Sequence, residues 1–221
     1  MSRTRKIFSV IALLAAWTVV TASSASAADC GPTGTEVTGL SEAQMESSIA
    51  CLINQERSSY GLPAVSPNGD LRQAALSHSN EMISEGYFEH TSPAGLTFMD
   101  RIESTGYMHS ARSWVVGENL VWGTGPRSSP EALVTAWMNS PPHRENLLRP
   151  NFREIGIAAV PGTPESQSDP TGVTVSSEYG YRTFGKTKAK NKAKAKAGKH
   201  KGSKGKARKA RAHKKHRHHK H

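Results

Sequence analysis

Between Ala28 and Gly185 this chain contains no lysine, and from Lys186 to His221 it contains no Asp, Glu, Phe, Trp, Tyr, Leu, Ile, Val or Pro. The first absence leaves nine arginines against 18 acids, so the middle of the chain is acidic, at −9. The second leaves 17 Lys/Arg and six His with nothing apolar to bury, which excludes a core there and predicts a disordered basic tail. The formal charge of +11 and the pI of 9.8 therefore describe the tail and say nothing about the domain.

Cysteine is nearly absent as well. Cys30 and Cys51 are the only two, which excludes a four-thiolate zinc site and a disulfide-rich scaffold. No stretch after Val20 approaches the ~20 apolar residues that a membrane span needs. What precedes it reads as an export signal: Arg3, Arg5 and Lys6 form a positive start, Ile7 to Val20 an apolar run, and Ala25-Ser26-Ala27 a small-residue cleavage site. An uncleaved anchor is the alternative. Secretion would carry the two cysteines into an oxidising compartment, so they are expected to bond and tie the new N-terminus to the first helix; two free thiols are the alternative.

What is present divides the chain into a signal (1–27), an N-terminal segment (28–40), one domain (41–185) and the tail (186–221). Ser41 and Gln44 make a capping box, and Met45, Ile49, Leu52 and Ile53 repeat on one helical face up to Gly61. A second helix is expected from about Ser66-Pro67 to Gly86, with His78 on its apolar stripe as a core residue. Thr97 and Asp100 open a short third, ending at Gly106. Ser129-Pro130 opens a fourth that carries Trp137. Pro141-Pro142 should end it by Ser140 and hold His143 still at the start of a new segment. The best strand candidates are Arg153 to Val160 and Val173 to Phe184, with a strand-like end at Leu120 to Trp122. Helices first and antiparallel strands last give an α+β fold.

Three side chains stand out for chemistry. His90 lies just past a helix end, flanked by Tyr87 and Phe88. Glu118 sits among apolar residues, so it should face solvent or be held by backbone donors, histidines or a metal. His143 stands at the proline break; a capping or surface histidine is the plainer reading. His109, in a loop, has no neighbours that suggest a role.

His90 in Tyr87-Phe88-Glu89-His90-Thr91-Ser92-Pro93, Gly117-Glu118-Asn119, the stretch Trp137 to Asn146, Ile155-Gly156-Ile157 and Tyr181-Arg182-Thr183-Phe184-Gly185 occur in this order. Together they resemble the CAP superfamily of cysteine-rich secretory proteins, antigen 5 and pathogenesis-related proteins, and most of all its short bacterial branch. The resemblance covers Ser41 to Gly185. It implies a three-layer α-β-α sandwich with a large groove holding two histidines and two acids, able to bind a divalent metal such as zinc. His90, Glu118 and His143 match three of these groups, with Asn119 and Arg144 as hydrogen-bonding support. The second acid is replaced by Ser140, with Glu145 as a candidate substitute. Two imidazoles and one carboxylate still form a known zinc set with an open fourth position.

Members of such a family more often look like binders of lipids or other surface ligands than like enzymes. The expectation is therefore a secreted, surface- or wall-associated binding protein for a lipid or wall-derived ligand. The alternative is a metal-assisted extracellular hydrolase or peptidase using the same groove. A third reading makes the tail the active part. Its charge suits anionic cell-surface polymers, anionic lipids, sulfated polysaccharides or extracellular nucleic acid; a solvated tail that aids solubility or merely clings to the acidic domain is the plain alternative.

Overall fold

The computed structural model describes residues 29–185; the export-signal reading of Met1 to Ala27 and the basic-tail reading of Lys186 to His221 lie outside the described residues. Helix α1 (Glu42–Ser59) begins at the expected capping box: Ser41 Oγ accepts from Gln44 N at 3.3 Å and Gln44 Oε1 accepts from Ser41 N at 3.0 Å. Thr97 and Asp100 form a second box at the start of α3 (Phe98–Ser104), and Ser129 caps α4 (Pro130–Asn139) through Ala132 N. Cys30 and Cys51 are disulfide-bonded, with Cα atoms 5.4 Å apart, which pins the N-terminal segment to α1.

Three expectations need correction. Ser66–Pro67 does not open the second helix; it forms β1, a two-residue strand parallel to β3 (Glu154–Pro161), and α2 (Gly69–Glu85) starts after it. The reason is Asn68, whose Oδ1 accepts from Asp70 N and Leu71 N and so makes the cap one residue past the proline. The strand-like end at Leu120 to Trp122 is the last part of β2 (Ala111–Thr124), a 14-residue strand whose exposed early residues, Arg112 to Trp114, carry no apolar alternation to betray it. The two prolines do not form a turn before His143. They are the first two residues of α5 (Pro141–Leu147), where a missing N–H costs no helical bond.

β4 (Gly172–Phe184) lies at the centre, antiparallel to β2 on one side and to β3 on the other, giving the order β1-β3-β4-β2. α2 and α3 cover one face, where Leu71, Ala74, Ile102, Tyr107 and Val116 are buried together. α1, α4 and α5 cover the other, around Met45, Ile49, Trp137, Phe152, Val175 and Tyr179. This is a three-layer α-β-α sandwich. Gly156 sets the approach of α2: a Cβ there would run into the backbone of Leu71 and Arg72. Among the described residues no helix is long and apolar enough to cross a membrane.

One buried cation fixes the second helical layer. Arg57 is 0% exposed and has no carboxylate partner among the described residues; its guanidinium donates to the carbonyls of Pro63, Leu147, Arg149 and Phe152. It therefore ties α1 to the end of α5 and to the loop after it, which carries groove residues.

Candidate functional site

Because β2 is the outer strand, its free edge is available as the floor of a groove. Val116, Gly117, Glu118 and Asn119 form that floor; His90 and Phe98 line one wall, and Pro142, His143, Glu145, Asn146 and Arg149 the other, enclosing about 480 Å³. Strand alternation sends Glu118 toward α2 and α3 and Asn119 toward α5. Gly117 lets α5 come close, since a Cβ there would strike the Asn146 side chain. Asn146 Nδ2 in turn donates to Glu118 O at 3.0 Å and to Asn119 Oδ1 at 3.1 Å, and Asn119 Nδ2 donates to the His143 carbonyl at 3.0 Å.

The structure thus brings His90, Glu118 and His143 to one groove, but it commits them internally. Glu118 is 6% exposed, and one oxygen lies 2.7 Å from His90 Nδ1 while the other accepts from Arg101 Nη2 at 2.7 Å. The carboxylate therefore holds the imidazole in place through Nδ1, and His90 Nε2 has no protein partner among the described residues. His143 is anchored in the same way: its Nδ1 is 2.8 Å from Ser140 Oγ. Ser140, at the place where the resemblance implies a second acid, acts here as an orienter of His143. Glu145 lines the same wall. Arg144 does not reach the groove; its guanidinium donates to Met138 O at 3.4 Å, at the end of α4.

Sequence reasoning missed four contributors. Arg101 and Arg149 carried no motif, and Asn146 was read only as the end of the proline stretch. Glu178 is the least expected: it is 0% exposed on β4, directly opposite Glu118 on β2. Neither Glu178 oxygen has a donor among the described residues. A proton retained on Glu178 supplies the missing hydrogen bond, donated to Glu118. The available signal was one acid on a strand face whose neighbouring positions are Thr174, Ser176 and Gly180.

The electrostatics follow from this arrangement. Burial first, and then the Glu118 charge, push the Glu178 carboxyl well above the usual range. Burial also pushes Glu118 up, but the hydrogen bonds from His90 and Glu178, together with Arg101 and His78, outweigh it and hold the group low. The bond to Glu118 raises His90, whereas burial and the nearby His90 lower His143. His78 is 0% exposed; burial lowers it, and its Nε2 is 2.9 Å from Glu89 O. It is a core histidine beside the site.

A divalent metal does not fit these residues. Both Glu118 oxygens are engaged, one of them by a guanidinium that already supplies the positive charge, and Ser140 offers a hydroxyl bound to His143. Among the described residues no three His, Cys, Asp or Glu side chains converge on a metal-sized position.

Comparison with known proteins agrees with this architecture. The uncharacterized protein YkwD of Bacillus subtilis (strain 168) is 36% identical over 115 residues, 52% of this chain and 42% of that protein. The uncharacterized membrane protein YlbC of the same organism is 30% identical over 114 residues, 51% of this chain and 30% of that one. This chain therefore spans less than half the length of either relative. The structure of an outer surface protein from Borrelia burgdorferi superposes with a TM-score of 0.53 at 22% identity, covering 68% of this chain and 99% of that one, and so shares the fold. The cysteine-rich secretory protein family model matches residues 51–179, more than half of the chain and all of the groove, and the chain belongs to that family, CAP.

Proposed function

We propose that this is an extracellular binding protein whose groove takes a polar ligand between His90 and His143, and whose basic tail retains it on anionic surface polymers. One observation carries the groove reading: Glu118 is consumed by His90, Arg101 and Glu178, while the Nε2 atoms of the two groove-lining imidazoles have no partner among the described residues. Such a site has directed donors and acceptors, with Glu145 as an exposed carboxylate on the same wall and Ser140 engaged by His143 Nδ1. Wall-derived glycopeptides and lipid headgroups supply suitable polar groups. The disulfide supports an oxidising, extracellular setting.

The test is a titration of the chain with soluble wall fragments and with phospholipid micelles, following the imidazole nitrogens by NMR. Binding that shifts His90 and His143 Nε2 together, and is lost in His90→Ala, supports the reading. Shifts confined to other residues reject it. Zinc calorimetry on the parent and on His90→Ala/His143→Ala should give the same isotherm; a stoichiometric site lost in the double variant would reinstate a metal centre.

A second reading, hydrolysis, is favoured by the His90–Glu118 pair. A carboxylate on Nδ1 orients the ring so that Nε2 can take a proton from water. Turnover of a fluorogenic peptide mixture that disappears in both His90→Ala and Glu118→Gln would establish it. Loss of surface retention on deleting Lys186 to His221, with groove binding intact, would test the role of the tail.

A further inference from the structure

Across the sheet from the groove, β3 is covered on its outer side only by the two residues of β1. Ser66 N donates to Arg153 O and Asn68 N to Ile155 O, each at 2.8 Å. Further along, Glu46 Oε1 accepts from Ala159 N at 3.4 Å. Ile155, Ile157 and Ala159 therefore turn their backbone groups away from β4, and Ile157 is the one that neither closure reaches. It is 5% exposed, yet its N–H and C=O have no partner among the described residues. Buried backbone groups are seldom left unpaired.

Ile157 lines a hollow of about 340 Å³ between α1 and α2, with Ala43, Ser47 and Ala50 on the α1 side. That volume lies at the small end of the range for ligand pockets. Both ends of the exposed edge are blocked. At one, Asn68 turns the chain into α2; at the other, Arg72 Nε and Nη2 donate to Glu46 at 2.7 and 2.8 Å and bridge the two helices. Glu46 and Arg72 are the only charged residues among those described around the hollow, and each neutralises the other. Outward-facing positions on a strand are about 7 Å apart, so the open edge is the length of one residue. The Ile157 N–H and C=O belong to successive peptide groups and point the same way. A single trans amide, whose own N–H and C=O point in opposite directions, can meet only one of them. One residue of an extended peptide, lying antiparallel, meets both.

We propose that the hollow beside Ile157 binds a short, uncharged peptide segment, one residue of which lies antiparallel to β3 and exchanges two backbone hydrogen bonds with Ile157. The side chain of that residue falls on the same face as that of Ile157, which packs in the core beneath α1. There it meets Ala43 and Ala50, which leave room for a small side chain. A longer added strand is stopped at both ends, by Asn68 and by the Glu46–Arg72 bridge. The site lies at the opposite edge of the sheet from the groove and is independent of what the groove binds.

An NMR titration of the isotope-labelled chain from Ala28 to His221 tests it, with N-acetylalanine methylamide as the peptide probe and N-methylacetamide and N-acetylglucosamine as single-amide controls. In the free protein the Ile157 amide should exchange much faster than those of Ile155 and Ala159. The probe should shift the Ile157 resonance saturably, roughly in the millimolar range, and slow its exchange. Each control should bind about tenfold more weakly, the difference of one hydrogen bond. Ser47→Leu, at an exposed position of α1, fills the hollow and should abolish the shift while exchange at Ile155 and Ala159 stays as in the parent. Exchange at Ile157 in the free protein as slow as at Ile155, no shift with the probe, or a shift that survives Ser47→Leu would overturn the proposal. Equal binding of probe and controls would overturn it too, since a single amide would then satisfy the site.

Discussion

Glu118 and Glu178 face each other across β2 and β4 with Arg101 as the nearest fixed cation, and two charges there would be opposed by both repulsion and burial. Glu178 is therefore the protonated partner. Its folded pKa lies above its unfolded value, so the folded state holds a proton that the unfolded chain releases. Its contribution is complete below about pH 4.3 and declines as pH rises through the folded pKa. Glu178→Gln keeps a donor for Glu118 and removes that loss. Denaturant melts should show the variant more stable than the parent near pH 8, by on the order of 1 kcal/mol, with the gap closing toward pH 4. A gap that widens on acidification would refute the proton assignment.

Glu118→Gln should act in a different way. It removes the hydrogen bond that raises His90 and leaves Arg101 buried without its counterion, a loss of about 3 kcal/mol or more. His90 should titrate above His143 in the parent by ring-proton NMR and fall toward the ordinary imidazole value in the variant. In the parent, whatever His90 adds to stability is present below about pH 6.5 and fades as pH climbs through its raised pKa.

At the scale of elements, helices with local signals were legible and long-range pairings were not. Ser41/Gln44, Thr97/Asp100 and Ser129-Pro130 named three helix starts, because a cap is written within four residues. The start of β2 left no such mark, since Arg112 to Trp114 are exposed and the partner that makes them a strand lies some 70 residues away in β4. The same limit hid half the groove. His90, Glu118 and His143 could be read from motifs, but Arg101 and Glu178 matter only because folding sets them against Glu118. Arg57 is another such case, a helix-flank residue in sequence and a bracket for α5 in space. Arg57→Leu would strip donors from four carbonyls, two of which flank the end of α5. A destabilisation of about 3 kcal/mol is expected, with faster amide exchange in Asn146 to Phe152 than in α2. Uniform loosening across both helical layers would show that Arg57 serves the fold in general and not α5 in particular.

At the scale of the whole molecule, the groove and the disulfide lie on different parts of the sandwich. The bridge joins residues 21 apart and fastens the N-terminal segment to α1, where Ser48 Oγ also donates to Cys30 O at 2.9 Å. The groove is built on β2, α3 and α5, none of which the bridged loop contains. Closing a loop of this length restricts the unfolded chain by about 3 kcal/mol in the chain-entropy account. Cys30→Ala/Cys51→Ala should therefore lower the unfolding free energy by about that amount, while the order of the His90 and His143 titrations stays as in the parent. If the imidazole titrations moved together with stability, the N-terminal segment would have to reach the groove through α1 and α4, making the domain one coupled unit in place of a rigid site with a separate staple. The charge asymmetry bears on the same measurement, because the +17 tail pulls anions toward a −9 domain. The titrations belong at an ionic strength near 0.15 M, where the Debye length of about 8 Å leaves the buried Glu118 contacts intact and screens the tail.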